Sequence, residues 1–120
     1  MNDRTVTISV SSRSASRARF LAAAKGVKQG HFIVFRKASE LAKLLTDNRI
    51  GILEAMAGKG TLSIRGVAGL VERDVKAVYT DIRALVDAGV LDQKDEGVEF
   101  PYSAVHVDFT IQPKLARVAG

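Results

Sequence analysis

The chain has 120 residues, of which 47% are hydrophobic and 26% are charged, and this composition is typical of one soluble globular domain rather than a disordered chain. No apolar run approaches the roughly 18 residues that a membrane-spanning helix requires, and the first residues lack the apolar segment of a signal peptide. The absence of cysteine excludes disulfides and thiolate metal sites. We therefore expect a cytoplasmic protein with no membrane segment.

The net charge of +5 favours an anionic partner such as double-stranded DNA. The charge is unevenly distributed, because residues 1–45 carry nine cations and two anions whereas residues 46–91 carry six of each. The excess positive charge therefore lies in the N-terminal part of the chain.

Residues 1–45 are predicted to form a strand-helix-strand extension followed by a short helix. Residues 4–10 alternate β-branched and hydroxyl side chains, which predicts a strand with one buried face. Residues 13–25 fit a helix, residues 31–36 a second strand and residues 38–45 the short helix. We expect this extension to serve dimerisation or accessory DNA contact. Its arginines form either an ordinary exposed face or a basic helix that grips flanking DNA: Arg13, Arg17 and Arg19.

A ribbon-helix-helix protein is a rival interpretation of the same N-terminal residues. In that fold the first strand would place three hydroxyl side chains in the DNA groove: Thr5, Thr7 and Ser9. The predicted strand at residues 31–36 argues against it, because the motif requires a second helix at that position.

Residues 46–111 are predicted to contain three helices, a hairpin and a final strand. Thr46 and Ser63 are placed to cap the first two helices. Their expected inward side chains are Ile50, Ile52, Leu53 and Met56 in the first helix, and Ile64, Val67, Ala68 and Leu70 in the second.

The third helix lies within residues 72–91, with Asp74 as its cap and Gly89 at its end. One apolar stripe of period 3.6 predicts its core face: Val75, Val78, Tyr79, Ile82, Leu85 and Val86. The opposite face carries side chains that suit phosphates and base edges: Arg73, Lys76, Ala77, Thr80 and Arg83.

A hairpin is predicted after the third helix, with strands at residues 90–93 and 98–100 around a turn at residues 94–97. Residues 105–111 alternate again and predict a final strand, and residues 112–120 form a C-terminal tail. Three helices followed by a hairpin define a winged helix-turn-helix, so the predicted fold class is α+β with a tri-helical core and a β-wing.

Short motifs within residues 38–109 resemble the MarR-like winged-helix family of predicted transcriptional regulators of bacteria and archaea, which includes proposed antitoxins. The motifs are Leu45-Thr46-x-x-Arg49, Ser63-Ile64, Arg73-Asp74-Val75-x-x-Val78, Asp81-Ile82-x-x-Leu85 and Gly89-Val90-Leu91. The resemblance implies DNA binding by the third helix, as a homodimer on a palindromic site. Two departures stand out. Gly66 and Gly69 each weaken the second helix by about 1 kcal/mol relative to alanine, and the wing is acidic.

The residues expected to contact DNA come from the second helix, the third helix and the wing: Ser63, Arg65, Arg73, Lys76, Ala77, Thr80, Arg83 and Lys94. Three alternatives stay open in the sequence. Ser63 is equally suited to act only as a helix cap, and Arg83 to pair with Asp87. Arg49 is suited either to DNA or to a carboxylate elsewhere in the fold.

The predicted function is a sequence-specific DNA-binding transcriptional regulator, a repressor that inserts residues 73–88 into the major groove. The alternative is an antitoxin or adaptor that binds a toxin or another protein and uses the winged helix as a scaffold. The two histidines are isolated in sequence, and no phosphate-binding or nucleophile motif is present. We therefore expect no enzyme activity, no cofactor and no metal.

Overall fold

A computed structural model describes residues 4–10 and 31–108 of the chain. The described elements are, in order, β1 (Thr5–Val10), β2 (His31–Phe35), α1 (Ala38–Leu44), α2 (Asp47–Met56), β3 (Thr61–Leu62), α3 (Ile64–Val71), α4 (Val75–Asp87), β4 (Asp92–Lys94), β5 (Gly97–Glu99) and β6 (Ala104–Asp108). The predicted helix at residues 13–25, the end of the last predicted strand and the C-terminal tail lie outside the described residues. None of the helices in the described part is long and apolar enough to cross a membrane.

β1 is the central strand of a parallel sheet with the order β2-β1-β6. The predicted alternation is only partly confirmed. Val6 and Ile8 are fully buried, and Ile8 belongs to the core, but Ser9 on the opposite face is fully buried as well. Both edges of β1 are paired, so it has no free edge for a ribbon formed with a second copy. The ribbon-helix-helix interpretation is therefore wrong. β6 lies about 100 positions after β1, and its pairing joins the predicted extension to the end of the predicted winged-helix segment.

Each of the three helices α2, α3 and α4 begins at a predicted cap. The hydroxyl of Thr46 accepts from the backbone N–H of Arg49 at 3.2 Å, and that of Ser63 accepts from Gly66 at 2.9 Å. The carboxylate of Asp74 accepts from the two N–H groups that follow, at 3.0 and 3.3 Å. Satisfied end groups explain why α3 forms a complete helix despite its two glycines.

β3, β5 and β4 form a small antiparallel sheet directly after α4. The hairpin between β4 and β5 turns at Gly97, whose φ is +150°. A Cβ atom at this position would collide with the carbonyl oxygen of Leu62 on β3. Glycine is therefore required where β5 begins alongside β3.

The hydrophobic core joins the inner face of the parallel sheet to α1, α2, α3, α4 and the hairpin. Four predicted core residues are instead exposed: Ile50 (39%), Leu70 (45%), Val75 (39%) and Tyr79 (50%). The prediction is wrong for them because each lies at the border of its apolar stripe. A stripe on a short helix is wider than the neighbouring elements can cover.

Candidate nucleic-acid interface

The outward face of α4 carries mixed polar and apolar side chains. Lys76, Ala77, Thr80 and Arg83 are all exposed there, as the sequence predicts for them. Beside them, on the hairpin side, lie Val75 and Tyr79. The inward face of the same helix is formed by Val78, Asp81, Ile82 and Leu85.

An open groove of about 650 Å³ separates α4 and the start of α3 from the hairpin turn. Its α3–α4 wall contains the cations Arg65 and Lys76, and its hairpin wall contains the anions Asp95 and Glu96. Ile64 joins the exposed pair on α4 in giving the groove an apolar lining. The charge distribution means that an anion is attracted to one wall and repelled from the other.

The two hydroxyl groups of the predicted site are both engaged locally. Ser63 lines the groove, and its oxygen caps α3; a contact of Ser63 with DNA stays a prediction. Thr80 donates to the carbonyl of Lys76 within α4 at 3.3 Å. Ser63 therefore keeps its hydroxyl proton for an outside acceptor, whereas Thr80 keeps lone pairs for an outside donor.

Asp81 lies at the centre of an ion-pair cluster on the inward side of α4. One of its carboxylate oxygens accepts from Arg49 Nε and the other from Arg73 Nη2, both at 2.9 Å. Arg49 also donates to the carbonyls of Lys43 and Leu44, at 3.1 and 3.3 Å. The cluster therefore ties α4 to α2 and to the end of α1.

This cluster gives two candidate DNA-contacting arginines an internal partner. Arg49 follows the second alternative that the sequence leaves open, a bond to a carboxylate. Arg73 was predicted to contact DNA, but its side chain is only 24% exposed and is held by Asp81. The sequence does not reveal the cluster, since its members are 32 and 8 positions apart and none of the spacings is local.

The remaining cations differ in how far they are neutralised. Arg83 pairs with Asp87 at 3.0 Å along α4, as its alternative predicts, and Lys94 pairs with Glu99 at 3.5 Å across the hairpin. Among the residues that the structure describes, Arg65 and Lys76 form no ion pair. Among the cations of the predicted site, these two are therefore the most available to an anionic ligand.

The structure thus brings together part of the predicted site. Ser63, Arg65 and Lys76 share the groove, and Thr80 and Arg83 continue along the exposed side of α4. Ala77 is exposed on α4, and Lys94 lies on β4 outside the groove lining. Sequence analysis missed Val75 and Tyr79 by assigning them to the core. Their position at the border of the apolar stripe is the signal that distinguishes them.

No group of His, Asp or Glu side chains in the described part of the chain is arranged to hold a metal ion. The histidines His31 and His106 stand on β2 and β6, on different strands of the parallel sheet. His31 instead packs against the ring of Tyr102, with their centroids 5.2 Å apart.

The described residues therefore form a compact α+β fold whose exposed helix borders a groove of mixed charge. Residues 44–107 match the model of the HVO_A0114 family. Since this match covers more than half of the 120 residues, the chain belongs to that family. The matched region runs from the last residue of α1 into β6 and includes the whole candidate interface. No match was found among curated proteins or solved structures.

Proposed function

We propose that this protein is a MarR-like winged-helix transcriptional regulator that binds double-stranded DNA through the outward face of α4. The observation that carries the proposal is the pair of unneutralised cations, Arg65 and Lys76, beside the exposed start of α4. Lysine and arginine at the first turn of an exposed helix suit phosphates and the acceptor atoms of guanine.

The order of elements agrees with a winged helix. Helices α2, α3 and α4 follow one another, and the β4–β5 hairpin comes directly after α4. In such a fold the last helix enters the major groove and the preceding helix lies across the phosphate backbone. The pairing of β3 with β5 attaches the proposed wing to the chain just before α3.

In the proposed mechanism the residues divide by role. Lys76 contacts a base edge, Thr80 accepts from a base amino group one turn later, and Arg65 with the start of α3 binds phosphate. Arg73 is assigned to positioning, because its bond to Asp81 holds the segment that leads into α4. Two copies bound to a palindromic site would block transcription by occupying the promoter, and no catalytic step is involved.

A salt titration of binding tests this function. We would compare the DNA upstream of the protein's own gene with random duplex of equal length. The expected result is a preference for the upstream DNA that persists at physiological salt, with a slope that counts the phosphate contacts. Weak binding that ignores sequence and disappears with salt would contradict the proposal.

A matched pair of variants controls for net charge. Lys76→Ala removes a cation from the proposed interface, whereas Lys43→Ala removes one from the exposed surface of α1, away from the groove. We expect only the first to reduce the preference for the upstream DNA. Equal effects would mean that total charge, not the α4 face, determines binding.

A protein-binding adaptor or antitoxin is the second candidate, and a different surface favours it. An apolar cavity of about 470 Å³ lies between α2 and β6, and Ile50 and Val107 at its border are exposed. The acidic hairpin is also poorly suited to phosphate. Co-expression with the product of a toxin-sized neighbouring gene tests this candidate: a stable complex that Ile50→Asp disrupts would support it.

A further inference from the structure

Val75 and Tyr79 form an exposed apolar strip on the hairpin side of α4. They are 39% and 50% exposed, and they lie one helical turn apart on the same side of the helix. The two cations Arg65 and Lys76 line the same groove. We refer to Val75 and Tyr79 together as the apolar strip.

The charges around the strip determine what can cover it. Arg65 and Lys76 attract the anionic duplex to the α3–α4 wall, whereas Asp95 and Glu96 repel its phosphates from the hairpin wall. In the proposed function Arg65 binds a phosphate and Lys76 a base edge in the major groove, so the strip beside Lys76 faces base edges rather than the backbone. In the major groove the base edges present a single apolar group, which is the C5-methyl group of thymine.

We infer that the apolar strip is a specificity determinant that selects thymine by contacting its methyl group, an inference that rests on the proposed DNA-binding function. Val75 adjoins Lys76 in sequence, and Lys76 suits the O6 and N7 atoms of guanine. The preferred site therefore combines a guanine under Lys76 with thymines at the neighbouring positions under Val75 and Tyr79.

Replacing thymine by deoxyuridine isolates this contact, because it removes the methyl group and keeps the base pair. The probe is a duplex recovered by selection from a random-sequence library with the full-length protein. Each thymine in it is then replaced singly. We expect binding to weaken about fourfold at one or two positions, which corresponds to burial of one methyl group, and to stay unchanged at the others.

Two variants connect the loss to the strip. In Val75→Ala or Tyr79→Ala the deoxyuridine penalty at one sensitive position should fall to nearly none. Val34→Ala is the matched control, because Val34 is 48% exposed, close to the fraction of Tyr79, and lies on β2, outside the groove. In this control the penalty should remain fourfold. All three side chains are substantially exposed, so we expect the variants to fold.

The outcomes separate this inference from the function on which it rests. If selection recovers a specific duplex that tolerates deoxyuridine everywhere, the thymine contact is wrong and DNA binding stands; a strip that docks a protein segment would give this result. If the deoxyuridine penalty remains in both Val75→Ala and Tyr79→Ala, the apolar strip does not contact the thymine methyl group, and the inference is again overturned. If no duplex is enriched, the inference and the proposed function both fail.

Discussion

Both faces of α4 carry charged and apolar side chains, but those on the inward face are buried and paired whereas those on the outward face are exposed. On the inward face Asp81 is only 13% exposed and bonds to two arginines, while Val78, Ile82 and Leu85 fill the core around it. On the outward face Lys76 stands without an ion pair among the described residues, and the apolar strip faces solvent. A charge or an apolar group on this helix therefore acquires its role from its surroundings.

The difference separates stability from recognition. Partly buried paired charges hold the helix in place, and losing one partner leaves the others desolvated and unsatisfied. Exposed unpaired charges contribute little to folding and remain available to a ligand. Substitutions on the inward face should therefore change unfolding, and those on the outward face should change binding.

The largest effect is expected from Ile82→Ala on the inward face. Ile82 is fully buried, so truncation should lower the free energy of unfolding by about 2–5 kcal/mol through lost burial and a cavity. Urea denaturation followed by circular dichroism measures this. An unchanged midpoint would mean that Ile82 is not part of the core.

Asp81→Asn should produce the next largest effect, a loss of about 3 kcal/mol, at the lower end of the range for removing one partner of a buried ion pair. The low end is appropriate because Arg49 and Arg73 keep partial contact with water. Asp87→Asn serves as the control, since it neutralises an exposed acid on the same helix. Equal stability of the two variants would show that the Asp81 cluster does not hold α4.

Lys76→Ala and Thr80→Ala test the outward face. Each should weaken specific DNA binding by about 1–3 kcal/mol, the value of a good base contact, with little change in melting temperature. Binding to random duplex should fall less. Equal losses on all sequences would mean that neither residue makes a base-specific contact.

The smallest effect is expected from Arg83→Ala. The Arg83–Asp87 pair is exposed and follows the i,i+4 spacing, so its loss should destabilise the protein by only about 0.3–0.5 kcal/mol. Asp87→Ala should also free Arg83 and steepen the salt dependence of DNA binding. If Arg83→Ala destabilised the protein as much as Asp81→Asn, the two faces of α4 would not differ in their contribution to stability.

Local signals in the sequence were sufficient to predict most elements of the fold. The caps Thr46, Ser63 and Asp74 mark the helix starts, and alternation marks β1, because these features depend on neighbouring residues alone. The coarse α+β class was also predicted. The identity of the winged helix and its DNA-binding role stay predictions.

Local signals in the sequence could not predict which individual side chains are covered or which partners they bond to. Helical periodicity gives the direction of Tyr79 but not whether another element covers it. Arg73 lies just before α4 and bonds to Asp81 within α4, and this contact depends on how the chain turns into the helix. Such contacts arise only once the helices are packed, and no local spacing encodes them.

The pairing of β1 with β6 has a consequence for how the chain folds. The backbone N–H of Ser103 donates to the carbonyl of Arg4 at 2.7 Å, across a sequence separation of 99 residues. During synthesis β1 therefore emerges long before β6, and the two strands can pair only after nearly all of the described chain has been made. Helices with local contacts form early, whereas this distant pairing carries the cost of closing a long loop. The β1–β6 pairing is thus expected to form after the contacts between neighbouring helices, whereas the β1–β2 pairing spans only about 25 residues.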